Sequence, residues 1–255
     1  MRIAVVGSGN VATHLACGLA EAGHDISGVW SRTAAHALKL ARKLGVRTYD
    51  APSQIAEDRP DVVLFSVADG GATELAATIP PVPGAVALHT SGTLPQEILL
   101  PLSADCGILY PLQTFSKGTP VDLSEVPFFV EGATPRASET ARALAESLSH
   151  EVHYADAAHR KKLHIAGVLS CNFPNYLWEC CERILTETGY PLCVIEPLVR
   201  ATVDKAFSIG PHAAQTGPAR RGDRKVMAEH AASLEGPLKD IYKALSEEIY
   251  KSHNE

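Results

Sequence analysis

Residues 3–12 read IAVVGSGNVA, and this stretch restricts the possible folds more than any other in the chain. Ile3, Ala4, Val5 and Val6 form a short apolar run of strand type, and Gly7 and Gly9 follow where a strand would turn into a helix. The spacing is G-x-G-x-x-A. The first glycine permits a tight turn, the second lets backbone approach a pyrophosphate with no Cβ in the way, and small Ala12 lets the helix pack closely on the strand. Phosphates would then meet the free N–H groups and dipole of a helix N-terminus, with Gly7, Ser8, Gly9, Asn10, Val11 and Ala12 as the contacts. Taken alone, the motif could equally be an ordinary turn before a helix. Its context favours the ligand: Val11 to Ala22 reads as a helix, Gly23 closes it, and Asp25 to Trp30 reads as a second strand.

NAD sites usually place an acidic residue about 20 positions beyond the glycines, where it bonds the ribose 2′-OH. Here Ser31, Arg32 and Thr33 stand at the end of the second strand. Arg32 can stack on adenine and pair with a 2′-phosphate, and the two hydroxyls suit the same group, so NADP is the expected cofactor. The competing reading has Ser31 capping a helix from Ala34 to Leu44 and Arg32 solvated.

At 255 residues the chain can hold two cores, and 45% hydrophobic with 20% charged residues describes an ordinary globular protein. A net charge of −6 argues against a general nucleic-acid binder. No apolar run approaches the length of a membrane span and no signal peptide is evident, so a cytoplasmic location is expected. The six cysteines form no C-x-x-C pair and the eleven histidines no ligand spacing, so reduced cysteines and no metal site are expected.

Further along, Arg47 to Tyr49 can form a short strand, Pro52 to Glu57 a helical turn, and Asp61 to Val67 a buried parallel strand. Val67 and Ala68 then lie at the carboxyl edge, where open α/β sheets bind ligands, with Asp69 beside them as a ribose contact or a helix cap. A helix over Gly71 to Ile79 leads to a strand from Ala85 to Leu88. That strand delivers His89, Thr90, Ser91 and Gly92 to the same edge, either as a wall around a nicotinamide or as simple turn chemistry. Cys106 to Tyr110, Val126 to Val130 and Glu151 to Tyr154 read as further strands, with a helix from Arg136 to Leu148. The pattern predicts a doubly wound, mostly parallel α/β sheet over residues 1–155 and an all-helical domain over 156–255.

The second domain would open with a long helix from about Ala157 to Gly189, kinked at Pro174, which lacks the N–H to bond the carbonyl of Ser170. Leu163, Ala166, Ser170, Phe173, Leu177, Cys181 and Ile184 recur at helical spacing as a packing stripe. His164, Val168 and Asn172 follow at four-residue steps, either as a substrate-side face or as a core histidine and a helix asparagine. A helix from Glu196 to Ile209 precedes the aperiodic stretch 210–222, in which Thr216, Arg220 and Arg221 are candidate ligand contacts. Asp223 either joins them or caps a helix from Arg224 to Leu234, and a last helix runs from Pro237 to Lys251.

HTSGTL from His89, YPLQTFSK from Tyr110, LSCNFPNYLW from Leu169 and AQTGPARRGD from Ala214 together carry a family resemblance. On these four motifs the chain resembles the oxidoreductases that join a Rossmann-like NADP-binding domain to a C-terminal domain of unknown function of the DUF2520 type. These are related to pyrroline-5-carboxylate reductase and the 6-phosphogluconate dehydrogenase-like enzymes. The resemblance implies a homodimer joined through the C-terminal helices, with Ser170 to Tyr176 and Thr216 to Asp223 approaching the nicotinamide. The chain departs from the wider group where its hydroxyacid dehydrogenases pair a lysine with an asparagine four residues on: Lys161 and Lys162 are followed there by Ile165 and Ala166.

The activity expected is NADP-dependent hydride transfer to or from a small anionic C=O or C=N substrate in the cleft between the domains. His164 is the expected proton donor, with Ser91 or His89 behind it; Asn172 would orient the substrate and Arg221 hold a carboxylate. The alternative is a non-catalytic NADP-binding redox sensor, whose nicotinamide position would be packed with apolar groups or open to a partner.

Overall fold

The computed structural model describes residues 1–254. They fall into two compact units, 1–172 and 173–254. The helix that begins at Ala157 goes with the first unit, so this division comes one helix later than the boundary expected near Ala155 to Ala158.

The first unit contains β1 (Arg2–Val6), α1 (Asn10–Glu21), β2 (Asp25–Trp30), α2 (Ala34–Leu44), α3 (Ser53–Glu57), β3 (Val62–Phe65), α4 (Ala72–Thr78) and β4 (Val86–His89). There follow β5 (Cys106–Pro111), β6 (Phe128–Gly132), α5 (Pro135–Glu146), β7 (Val152–Tyr154) and α6 (Ala157–Gly167). The strands form one sheet in the order β2-β1-β3-β4-β5-β6-β7, the doubly wound arrangement expected. All neighbours are parallel except β5 and β6, where Leu109 opposes Val130 in antiparallel register.

Both faces of the sheet are covered at its centre, which is why β3 and β4 are buried along their whole length. Ile3 and Val5 pack with Leu15 and Leu19 on one side, whereas Ala4 and Val6 pack with Ile55 and Phe65 on the other. Small residues set the spacing of these layers. A Cβ on Gly28 would come within 2.7 Å of the Tyr49 ring, which crosses β2 to reach Asp58.

Three sequence expectations change here. The strand at Arg47 to Tyr49 shrinks to a single bridge between Val29 and Thr48. The strand expected over Val126 to Val130 is displaced to Phe128–Gly132, because Val126 ends a short 3₁₀ turn capped by Asp122. After α6 the backbone widens into a π-helical turn, Val168–Asn172, just ahead of Pro174. An i→i+5 turn is one established way of absorbing a break in the α-helical ladder, so the expected proline kink takes this form.

The second unit is wholly helical: α7 (Phe173–Thr188), α8 (Glu196–Ile209), α9 (Pro211–Ala214), α10 (Arg224–Ala232) and α11 (Gly236–Asn254). The stretch 210–222 is therefore part helix rather than one long loop. Asp223 caps α10, its carboxylate accepting from the Val226 N–H at 3.1 Å. Phe173 and Ile184, expected in a packing stripe, are exposed. No helix among the described residues is long and apolar enough to cross a membrane.

Candidate cofactor and catalytic site

The turn from β1 into α1 sits at the carboxyl edge of the sheet and opens a cavity of about 870 Å³, a volume suited to a small molecule or cofactor. Gly7 has φ +115°, and a Cβ there would collide with the Ser66 carbonyl at 1.9 Å, so the turn and the end of β3 can approach only because this residue is glycine. Gly9 has nothing within 4 Å of where its Cβ would be. It also serves as N-cap of α1 without any side-chain cap, which leaves the first N–H groups of the helix available to an anion in that open space. These residues fit a dinucleotide pyrophosphate.

Side chains brace the turn. The Ser8 hydroxyl donates to Ser31 Oγ at 2.9 Å, tying the glycine loop to the end of β2. Asn10 Nδ2 donates to the Phe115 carbonyl at 2.7 Å, which holds the segment after β5 over α1. Ser31 does not cap α2; its N-cap is Thr33, with no side-chain bond. Arg32, Thr33 and His36 line the cavity beside β2, where an adenosine 2′-phosphate would lie, and Lys117 lines it from the segment after β5.

Toward β4 and β5 the lining changes to hydroxyls, rings and an amide. Ser66 and Thr90 share a hydrogen bond at 2.9 Å across the ends of β3 and β4. Val67, Ala68, Asp69, Ser91 and Gly92 line the wall above them. Asp69 neither caps α4, whose N-cap is Gly71, nor is free: its carboxylate accepts the Thr93 hydroxyl. From α6 and the π-helical turn come His164, Val168 and Asn172, all lining the same cavity.

His89 is not part of this lining. The ring is buried, with Nε2 on the Pro95 carbonyl at 3.1 Å and Nδ1 accepting the Ser91 N–H at 3.2 Å, so it shapes the turn that presents Ser91. Burial holds its pKa down at about 4, against 6.5 for an ordinary histidine. The folded chain thus prefers neutral His89, and between about pH 6.5 and 4 the unfolded chain binds the additional proton. This contribution to stability is complete above pH 6.5 and is lost as the pH falls toward 4, by on the order of 3 kcal/mol. Urea unfolding at pH 7 and pH 4.5 should show that loss in the native chain, and a smaller loss in His89→Gln.

Arg221, expected to hold a carboxylate, belongs to the second unit and is exposed there, whereas the residues that line the cavity all belong to the first. Conversely Tyr110, His36 and Lys117 line the cavity without having been singled out as candidates. A signal existed for Tyr110, the penultimate residue of a strand that ends at the ligand edge, and for His36, four positions after Arg32.

The sheet order, the glycine turn and the uncapped helix N-terminus define a doubly wound, dinucleotide-binding fold. Residues 2–86 match the family described as NADP oxidoreductase coenzyme F420-dependent, and residues 126–249 match the domain of unknown function DUF2520. A Bacteroides fragilis protein assigned as an NADP oxidoreductase is 33% identical over 98% of each chain, with a TM-score of 0.91. The chain therefore belongs to the NADP oxidoreductase family whose members carry a DUF2520 domain, and NADP is the cofactor of that family. The fold is shared more widely. A reductive aminase from Aspergillus terreus in complex with NADPH is 18% identical at a TM-score of 0.69, covering 99% of this chain and 96% of its own. The 1-pyrroline-5-carboxylate reductase from Streptococcus pyogenes is 13% identical at 0.67, covering 98% of each. No curated protein matches the chain.

Proposed function

We propose that the protein moves a hydride between NADP and a small C=O or C=N substrate bound at the β4–β5 end of the cavity. One observation carries this reading. A single cavity joins an anion-ready helix N-terminus and Arg32 at one end to Ser91, His164 and Asn172 at the other. NADPH supplies the hydride when bound. His164 then holds the proton that the reduced oxygen or nitrogen takes up, Asn172 orients that atom through its amide, and Ser91 offers a second hydroxyl contact. Related folds that reduce such bonds, the reductive aminase and the pyrroline-5-carboxylate reductase, support the choice of C=O or C=N. The anionic character expected of the substrate rests on Arg221 of the second unit; the cations lining the cavity are Arg32 and Lys117, with His36 able to join them when protonated. A purely sensory NADP module would call for apolar packing, or a surface open to a partner, where Ser91, His164 and Asn172 bring polar atoms to a cavity.

Screening small oxo acids and cyclic imines with NADPH should find turnover, and His164→Ala and Asn172→Ala should each lower kcat by roughly 100-fold or more while NADPH still binds. Unchanged rates in both variants would sink these roles. The same reading includes a homodimer formed through the helical unit. Trp178, Tyr190, Leu198 and Phe207 are all exposed, Phe207 by 91%, and apolar exposure on that scale marks a contact surface. Sedimentation should therefore give about twice the monomer mass of 27.2 kDa.

A further inference from the structure

The structure assigns Tyr110 as the positioning residue for His164, with Gly92 as the gap that lets the two meet. This rests on the reading of His164 as the proton-holding group, but the contact itself stands apart from any substrate. Tyr110 is the penultimate residue of β5 and His164 lies on α6, and their side chains meet with Tyr110 Oη 3.3 Å from His164 Nδ1. The rings sit edge to face, 6.3 Å between centroids at 61°. A Cβ on Gly92 would lie 2.8 Å from Tyr110 Cζ and 3.0 Å from His164 Nδ1, so any other residue in that turn would push into the pair from the β4 side.

The chemistry follows from the hydrogen-bonding capacity of each group. Tyr110 is buried, and a buried phenol needs an acceptor for its proton. Among the described residues its hydroxyl makes one bond, to His164 Nδ1. Burial pushes the phenol pKa up from its ordinary value; Arg160 opposes that shift and Asp69 adds to it, so the hydroxyl stays protonated at neutral pH. A neutral His164 therefore accepts at Nδ1 and carries its proton on Nε2, which makes no bond to a described residue. In the imidazolium the Nδ1–H donates to the phenol oxygen instead. Tyr110 can thus serve both protonation states without moving the ring.

In the proposed reduction, bound NADPH would supply the hydride for the new C–H bond as the substrate π bond breaks. The Nε2 proton of the imidazolium then forms the new O–H or N–H bond. His164 is left for that moment as the Nδ1–H tautomer, bonded to Tyr110 Oη, until uptake of a solvent proton at Nε2 and release of the Nδ1 proton restore the resting Nε2–H form; the two electrons of the hydride come from the NADPH, which is left oxidised. Tyr110 itself neither gains nor loses a proton.

The test is ¹⁵N NMR of the histidine ring nitrogens in the full chain with NADP⁺ bound, His164 being assigned by its loss in His164→Gln. The native protein should show one dominant neutral tautomer. Tyr110→Phe, which keeps the ring but removes the hydroxyl, should shift His164 toward a mixture of tautomers, and Gly92→Ala should do the same by displacing the pair. Retained NADPH binding shows that each variant is folded. With a substrate in hand, Tyr110→Phe should lower kcat roughly 10- to 100-fold with little change in KM, as expected for a misplaced reacting group. His164 nitrogen signals identical in Tyr110→Phe and the native protein would overturn the assignment. A tautomer shift without any turnover would leave the pairing intact and count against the reductase reading alone.

Discussion

Arg160→Met should lower the stability of the first unit by about 3–5 kcal/mol, the usual cost of leaving one member of a buried ion pair alone. Arg160 is fully buried: Nη1 donates to Glu131 Oε2 at 2.6 Å, and Nη2 to the Leu94 carbonyl at 2.9 Å. Nη1 also reaches the Ala155 carbonyl at 3.3 Å, while Nε has no partner among the described residues. Removing the guanidinium would strip the Glu131 carboxylate and two carbonyls of donors in a place where water cannot easily replace them. The double variant Arg160→Met, Glu131→Leu should recover much of the loss, since an apolar pair can occupy such a site at little cost. Urea unfolding of the two variants beside the native chain decides the matter. A single-variant loss below about 1 kcal/mol, the range of exposed pairs, would mean that solvent reaches the site.

Arg32→Asp should weaken NADPH binding by roughly 100-fold and leave NADH binding within a few-fold, since charge-assisted bonds to a phosphate contribute about 1.5–3 kcal/mol and the new carboxylate repels it. The geometry favours this outcome: Arg32 lines the cavity, is exposed, and makes no ion pair with a described residue. Parallel titrations followed by nicotinamide fluorescence would measure it. An unchanged NADPH to NADH preference would place the 2′-phosphate elsewhere, with Lys117 and His36 next in line.

The β1–turn–α1 unit could be read from sequence because each of its steps is local. An apolar run, two glycines and a small residue state their own conformations, and β2 and α2 fall within the limits their own residues suggest. The reversal of β6 was not legible. Parallel and antiparallel neighbours in a sheet covered on both faces present the same apolar run, so Phe128 to Gly132 carries no mark of direction. His89 illustrates the same ambiguity. At the end of a doubly covered strand, alternation does not tell which residues turn inward, and His89 proved to be buried while Thr90 and Ser91 line the cavity. Arg160 shows a second limit. An arginine in the sequence KKL-flanked start of a helix reads as solvated, and only the partner on β6, 29 positions earlier, makes it a core residue. Tyr110 and His164, 54 positions apart, likewise meet through topology alone.

The reversed strand also acts as a ruler. Because β6 runs against β5, Glu131 lies two residues deeper in the sheet than Phe129, which sits opposite Tyr110. Two strand residues span about 6.6–6.8 Å, and four residues of α-helix rise about 6 Å. Arg160 meets Glu131, and His164, four positions on, meets Tyr110, so strand and helix keep step between these two contacts. Helical phase is thereby locked to sheet depth. One residue inserted between positions 160 and 164 would turn the imidazole by about 100° and raise it by 1.5 Å, carrying it off the phenol even with the arginine still seated.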